Sequence, residues 1–188
     1  MKENLKLGFK LFIITAVAGL FLGIANELTK DIIVENSKLK KEDLKYILPE
    51  AESIKDYGYV ATEDSIVKEV FEAIGTDEIK GYVIKVAPKG FNGSLDMVVG
   101  IEKNGAVGGI KILSQSETPG LGAKIEEENF QDKFKGLSTK DGIRIVKTIP
   151  NNNNEIQCIT GATISSNAVN TGVNEAINFY KKNILGKE

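Results

Sequence analysis

"LDMVVGIEKNGAVGGIKILSQS", residues 95–116, carries the clearest secondary-structure signal in this chain. Two runs of mostly apolar and β-branched residues flank Asn104 and Gly105, a pair that favours a type I′ turn between antiparallel strands. Segments 66–74 and 81–87 have strand composition and lie shortly before this stretch. The pattern therefore predicts a mainly antiparallel sheet that includes a hairpin.

Helical and strand patterns alternate after the hairpin. Residues 124–136 have helical composition and end at a glycine, and the last helix is predicted to run from about 165 to 185. Segment 142–148 is a predicted strand, and the polar turn in 151–157 leads into another short one. The last helix has one apolar stripe, formed by Val169, Val173, Ala176, Ile177, Tyr180 and Ile184. The predicted fold class is α+β, with the sheet covered by helices.

The N-terminal segment "LFIITAVAGLFLGIA", residues 11–25, is apolar apart from Thr15. Counted from Leu7, with Lys10 able to extend towards the interface, it supplies about 20 residues, enough to cross a bilayer as a helix. We expect a single transmembrane anchor in contact with membrane lipid. A cleaved signal peptide that ends near residues 23–25 is the alternative interpretation.

Charge around this segment predicts its orientation. Residues 1–10 carry three lysines and one glutamate, whereas residues 26–45 carry five lysines and five acids. The positive-inside rule then places the N-terminus in the cytoplasm and the rest of the chain on the outer face. The predicted organisation is a tip and transmembrane helix at 1–26, a connector helix at 27–49 and an extracytoplasmic domain at 50–188.

Composition excludes several classes of function. The 188 residues include no histidine and one cysteine, Cys158, and the net charge is −2. Without imidazole, the chain cannot form a Ser-His-Asp or Cys-His site or a histidine-ligated haem or zinc centre. No basic surface indicates nucleic acid. We predict no metal site and no catalytic residue, although a carboxylate-only acid/base site stays possible, and redox chemistry would need an organic cofactor.

Thr-Gly-Ala-Thr, residues 160–163, lies where a strand ends and the last helix begins. The N-terminus of a helix has free N–H groups and a partial positive charge, which favour a phosphate. Thr163 would present a hydroxyl beside that position, and Ser165 and Ser166 could cap the helix or bind the phosphate. Taken alone, the stretch favours a capping turn over a phosphate site.

A second stretch, "SETPGLGAK" at 116–124, lies between a predicted strand and a predicted helix. Pro119 and two glycines favour a sharp loop without bulky side chains, so its backbone could approach a flat ligand. Taken alone, it is only a tight turn.

Together the two stretches resemble the FMN-binding domain of the G subunit of Rnf complexes, which the C subunit of sodium-translocating NADH:quinone reductases shares. The family signature Ser/Thr-Gly-Ala-Thr matches residues 160–163, and Glu-Thr-Pro-Gly-Leu-Gly matches 117–122. The N-terminal anchor and the segment 90–101 match as well. The short chain is closer in length to the Rnf protein.

The resemblance implies that FMN is joined through its phosphate to Thr163 as a phosphoester, and that a separate flavin transferase attaches it. It also implies that the 117–122 loop contacts the flavin ring, with Thr118 and Leu121 as the principal contacts. Many relatives carry histidine two residues before the glutamate, where this chain has Gln115. The candidate cofactor-binding residues are Glu117, Thr118, Gly120, Leu121, Gly122, Thr160, Gly161, Ala162, Ser165 and Ser166.

By the same resemblance, the chain is an electron-carrier subunit of a complex that couples electron transfer between ferredoxin and NAD⁺ to Na⁺ or H⁺ transport. It would have no complete catalytic activity alone. Its partners would be a second flavin-bearing subunit and integral membrane subunits. Two alternatives stay open: a stand-alone membrane-anchored flavin reductase or sensor, and a non-redox extracytoplasmic binding module.

Overall fold

The computed structural model describes residues 2–36, 39–76 and 78–187, which belong to two compact units. The first unit contains helix α1 (Lys2–Asn36), and the second begins at Leu39. The part of α1 from Glu3 to Lys30 is long and apolar enough to cross a membrane, with a mean hydropathy of 2.2. The structure therefore contains the long apolar helix that the sequence predicts.

The helical character predicted for the connector at 27–49 is divided between the two units. Its first part continues α1 to Asn36, and residues 37 and 38 lie outside the described residues. Its second part is helix α2 (Lys41–Ile47), in which Leu44 and Ile47 are buried. The apolar side of α2 thus belongs to the core of the second unit.

Five antiparallel strands form the sheet, and each pairs with the next one along the chain. They are β1 (Ser53–Asp56), β2 (Val67–Gly75), β3 (Glu78–Val86), β4 (Asp96–Glu102) and β5 (Val107–Ser114). The predicted antiparallel sheet is confirmed. Strand β1 was missed because all four of its residues are exposed, so it has no apolar alternation.

The predicted hairpin is confirmed, but its turn type was wrong. Of the central pair, only Gly105 has a positive φ, at 80°, whereas a type I′ turn needs positive φ at both residues. The Gly105 N–H donates to the Glu102 carbonyl at 2.9 Å, and the Glu102 N–H donates to the Ala106 carbonyl at 2.9 Å. This is a three-residue loop in which a type I turn precedes a left-handed glycine.

Helices cover both faces of the sheet. On one face lies α4 (Thr163–Asn183), whose predicted apolar stripe is entirely buried. On the other face, α2 packs against a smaller cluster that includes Val98. A side chain at Gly108 would place its Cβ 2.5 Å from the Ile47 carbonyl oxygen, so the close approach of α2 requires glycine there.

The helix predicted over 124–136 is broken into three short pieces. A 3-10 turn (Gly122–Glu126), helix α3 (Glu128–Gln131) and a second 3-10 turn (Asp132–Phe134) follow one another. A contact with the sheet accompanies this break. The side chain of the fully buried Gln131 accepts the Ile112 N–H at 3.2 Å, so its amide oxygen satisfies a backbone donor of β5 that a further strand would otherwise satisfy.

Two short parallel strands, β6 (Arg144–Val146) and β7 (Glu155–Gln157), lead the chain to the start of α4. Both lie inside strand segments that the sequence predicted. The Cys158 N–H continues the pairing by donating to the Val146 carbonyl at 2.9 Å. This pairing fixes the direction in which the chain enters the Thr-Gly-Ala-Thr stretch.

Candidate functional site

The fold brings the two sequence motifs to one cavity of about 420 Å³. That volume lies within the range of about 300 to 1,000 Å³ that is typical of ligand pockets. Two larger concavities are lined by residues 4–12 of α1 and by residues around 141–144 and 152–155, and neither includes a residue of either motif. The cavity is lined by Phe91, Glu117, Thr118, Leu121, Gly122, Gly161, Ala162, Thr163, Ile164 and Ser165.

Helix α4 begins at Thr163, two residues before the predicted start, with Ala162 as its N-cap residue. No side-chain hydrogen bond caps this end, and the first-turn N–H groups have no partner within the helix. Gly161 has a φ of 81°, which lets the chain turn into the helix. The Thr163 side chain is half-buried, with its hydroxyl 3.9 Å from the Cys158 sulfur.

Ser165 and Ser166 are both buried, and their hydroxyls bond to the protein. The Ser165 hydroxyl donates to Glu117 Oε2 at 2.7 Å. The Ser166 hydroxyl donates to the Ala162 carbonyl at 2.9 Å and accepts the Ile159 N–H at 3.0 Å. Neither serine is the N-cap residue of α4, and a contact of either with phosphate stays a prediction.

The 117–122 loop contains a tight turn. The Leu121 N–H donates to the Thr118 carbonyl at 3.1 Å, and Gly120 has a φ of 76°. Proline at the second position and a positive-φ glycine at the third are typical of a type II turn. Leu121 remains 47% exposed, and a Cβ at Gly161 would lie 3.2 Å from its Cδ2 atom. The two motifs therefore lie side by side.

Glu117 is only 5% exposed although it carries an ionisable group. Its Oε1 accepts the N–H groups of Phe91 and Asn92 at 2.8 and 3.2 Å, and its Oε2 accepts the Ser165 hydroxyl. All three partners donate, which suits a carboxylate. Its own N–H donates to Gln115 Oε1, so Gln115 supports the same loop.

Phe91 and Ile164 also line the cavity, although the sequence motifs predicted neither of them. They are 64% and 54% exposed, and with Leu121 they form what we call the apolar rim of the cavity. The Asn92 side-chain amide also donates to Thr118 Oγ1 at 3.2 Å. The available signal was an aromatic residue in the glycine-flanked loop "GFNG", 90–93.

Not every predicted cofactor-binding residue lines the cavity. Thr160, Gly120 and Ser166 lie outside its lining, although each is next in sequence to a residue that lines it. In the part of the chain that the structure describes, no group of three or more acidic or cysteine side chains could hold a metal ion. The site therefore offers a helix N-terminus, the Thr163 hydroxyl beside it, a glycine-containing loop and an apolar rim.

Comparison with known proteins gives consistent results. A family model described as FMN-binding domain matches residues 90–178, a span that contains both motifs and the 90–93 loop. The G subunit of the Na⁺-translocating ferredoxin:NAD⁺ oxidoreductase complex of Acetobacterium woodii is 38% identical, over 96% of this chain and 93% of the relative. The G subunit of the ion-translocating oxidoreductase complex of Methanosarcina acetivorans is 29% identical, over 95% of each chain.

Solved structures agree on the fold. The crystal structure of the C subunit of the Na⁺-translocating NADH-quinone reductase from Parabacteroides distasonis has a TM-score of 0.53 and 26% identity, over 60% of each chain. The crystal structure of Shewanella oneidensis NqrC has a TM-score of 0.50 and 16% identity, over 76% of this chain and 71% of that one. The second similarity supports the fold alone.

Proposed function

The chain belongs to the family of G subunits of Rnf-type ion-translocating oxidoreductase complexes, and on this premise we propose that its FMN is joined through phosphate to Thr163. It is a redox subunit of a translocase and acts as an electron carrier within the complex. The observation that carries the proposal is the cavity in which Thr163 meets the 117–122 loop.

The residues fit the two halves of FMN. The first turn of α4 offers N–H groups and the positive end of a 21-residue helix, which suit a phosphate. Gly161 and Ala162 leave room beside the Thr163 hydroxyl. The apolar rim suits the flat faces of an isoalloxazine ring, because pockets for such ligands are mostly apolar with a few polar groups.

When bound, FMN would supply the electron-transfer chemistry. The chain's own residues hold and orient it. Thr163 provides the attachment oxygen, and Thr118 and Leu121 on the type II turn are the proposed ring contacts. Because the tether is at the phosphate, the ring is not covalently altered, while the cofactor cannot dissociate.

The chain needs help to make this bond. An alkyl hydroxyl is a weak nucleophile near neutral pH and requires a base, which is most often histidine, and the sequence has none. The polar side-chain atom beside Thr163 Oγ1 is the Cys158 sulfur at 3.9 Å. A separate flavin transferase is therefore part of the proposal. It would transfer the FMN group of FAD to the Thr163 oxygen, so that the FAD pyrophosphate bond breaks, AMP leaves, and the hydroxyl proton passes to a base of the transferase.

The remaining parts of the proposal concern the assembly. Helix α1 anchors the chain in the membrane, with the N-terminus in the cytoplasm and the FMN domain on the outer face. The partners are a second flavin-bearing subunit and integral membrane subunits. The complex couples ferredoxin and NAD⁺ electron transfer to Na⁺ or H⁺ transport.

The test is covalent flavin content. The full chain is expressed with and without a flavin transferase, denatured, and examined for flavin fluorescence on the protein band and for the adduct mass. We expect fluorescence only with the transferase, retained in Thr163→Ser and lost in Thr163→Ala. Thr171→Ala is the matched control, because Thr171 is an exposed threonine of the same helix that lies outside the cavity lining and outside both motifs. A wild-type band without flavin in both cases would refute the proposal.

A further inference from the structure

The 90–93 loop contributes an exposed aromatic ring to the cavity, although it is remote in sequence from both motifs. The loop is closed by a hydrogen bond from the Gly90 N–H to the Gly93 carbonyl at 2.7 Å. Phe91 lies between these glycines, 64% exposed and on the cavity wall. An exposed aromatic side chain on a fixed loop can serve as a packing surface for a flat ring.

The loop is held in place by one buried side chain. Glu117 Oε1 accepts the N–H groups on both sides of the Phe91 carbonyl, those of Phe91 and Asn92. Its other oxygen accepts the hydroxyl of Ser165, in the first turn of α4. A single carboxylate thus links the 90–93 loop to the helix end that carries Thr163.

The fit around this carboxylate leaves no room for another side chain. A Cβ at Gly90 would lie 2.3 Å from Glu117 Oε1, and one at Gly122 would lie 2.6 Å from Oε2. Both glycines are buried, and neither has a positive φ. The requirement for glycine at these positions therefore comes from the close approach of the Glu117 carboxylate to their backbone, since neither residue adopts a conformation that favours glycine. The glycines let the carboxylate reach both segments.

We infer that Phe91 is an apolar wall for the flavin ring, and that Glu117 is a positioning residue that holds Phe91 against the cavity. This inference rests on the proposed function, because it concerns the same cavity. It reassigns Glu117 from a cofactor contact to a link between the 90–93 loop and the N-terminus of α4.

The first experiment needs no flavin. Amide hydrogen exchange at Phe91 and Asn92 is measured in the full, unflavinylated chain in detergent micelles. Glu117→Ala should accelerate exchange at both amides about tenfold, because each loses its acceptor. Glu117→Gln keeps an acceptor oxygen for the loop and should stay within about threefold of wild type.

A buried hydroxyl elsewhere provides the control for this experiment. Thr139 is buried, and its hydroxyl donates to the Gly105 carbonyl at 2.7 Å. Thr139→Val removes a hydrogen bond of similar kind and should leave exchange at Phe91 and Asn92 unchanged. Equal acceleration in Thr139→Val and Glu117→Ala would overturn the positioning role, because the effect would then be general destabilisation.

The second experiment uses the flavinylated full chain and tests Phe91 directly. Quenching is measured per bound flavin in Phe91→Ala, in which the attachment oxygen of Thr163 is unchanged. Iodide quenching of the flavin fluorescence should rise about threefold, because the ring loses an apolar cover. Ile149→Ala, at a 77% exposed apolar residue outside the cavity, should match wild type.

The outcomes separate this inference from the proposed function. Wild-type protein that carries no covalent flavin refutes the proposed function, and the inference with it. Wild-type protein that carries flavin, with unchanged quenching in Phe91→Ala, refutes the inference alone. Because Phe91 is exposed, its variant is expected to fold even if Glu117→Ala does not.

Discussion

Two polar clusters fasten distant segments of the second unit, and they differ in burial. At the site, buried Glu117 joins the 90–93 loop to α4 through three donors. Beneath α2, the Tyr46 hydroxyl donates to Asp132 at 2.7 Å, and Lys135 pairs with the same carboxylate at 2.7 Å. The Asp132 side chain is about half exposed.

This difference determines what each cluster contributes. Donors that lose a buried acceptor keep the full cost of desolvation, whereas an exposed ion pair can be replaced by water. The exposed cluster still perturbs its members. Burial and the hydrogen bond to Asp132 raise the pKa of Tyr46, and the bonds from Lys135 and Tyr46 lower the pKa of Asp132. The Glu117 cluster should therefore contribute more to the free energy of unfolding than the Asp132 cluster.

The largest effect is expected for Glu117→Ala. It leaves three donors without their acceptor and should lower the free energy of unfolding by about 3 kcal/mol. Urea unfolding of the full chain in detergent measures this, and Glu117→Gln should lose less. A loss for Glu117→Ala no greater than that for Asp132→Asn would reverse the comparison.

Gly108→Ala should have the next largest effect, on the α2 side. Its Cβ would meet the Ile47 backbone oxygen at 2.5 Å and the Leu48 side chain at 2.7 Å, so α2 must shift. We expect a loss of about 2 kcal/mol in the same unfolding measurement. Gly93→Ala is the matched control, because its Cβ would meet nothing within 4 Å, and it should change stability by less than about 0.5 kcal/mol.

Asp132→Asn should have the smallest effect, below about 1 kcal/mol at neutral pH. Because the folded-state pKa of Asp132 is lowered from its ordinary value of 3.8, its contribution is present above that value. The contribution disappears as the pH falls through the lower folded-state pKa. Unfolding curves of wild type and variant should therefore differ at pH 7 and converge in strong acid. A difference that grows on acidification would contradict this account.

Local patterns predicted much of the fold. The hairpin, the neighbouring strands and the apolar stripe of α4 follow from periodicity, which each segment carries by itself. The break in the helix predicted over 124–136 could not be predicted locally. It accompanies a hydrogen bond from the Ile112 N–H of β5 to the buried Gln131 amide oxygen, 19 residues later in the chain. Strand β1 was missed because its side chains are exposed on a short edge.

The candidate site divides in the same way. The two motifs were identifiable because their glycines, proline and hydroxyls are consecutive in the sequence. Phe91 was not identifiable in this way. Its loop is held beside the cavity by a hydrogen bond to the Glu117 carboxylate, and Glu117 is 26 residues later in the chain. Ser165 looked like a cap or phosphate ligand from its position, yet its hydroxyl bonds to Glu117, 48 residues away.

The sequence by itself determined the elements and the chemistry: an apolar helix long enough for a membrane, an antiparallel sheet, and a threonine where a helix begins. These depend on residues within a few positions of one another. Only the tertiary structure decided which groups the Glu117 carboxylate contacts, which loop places an aromatic side chain in the cavity lining, and that α2 packs into the core. Such features depend on buried hydrogen bonds and close backbone approaches between remote segments, which no local pattern encodes.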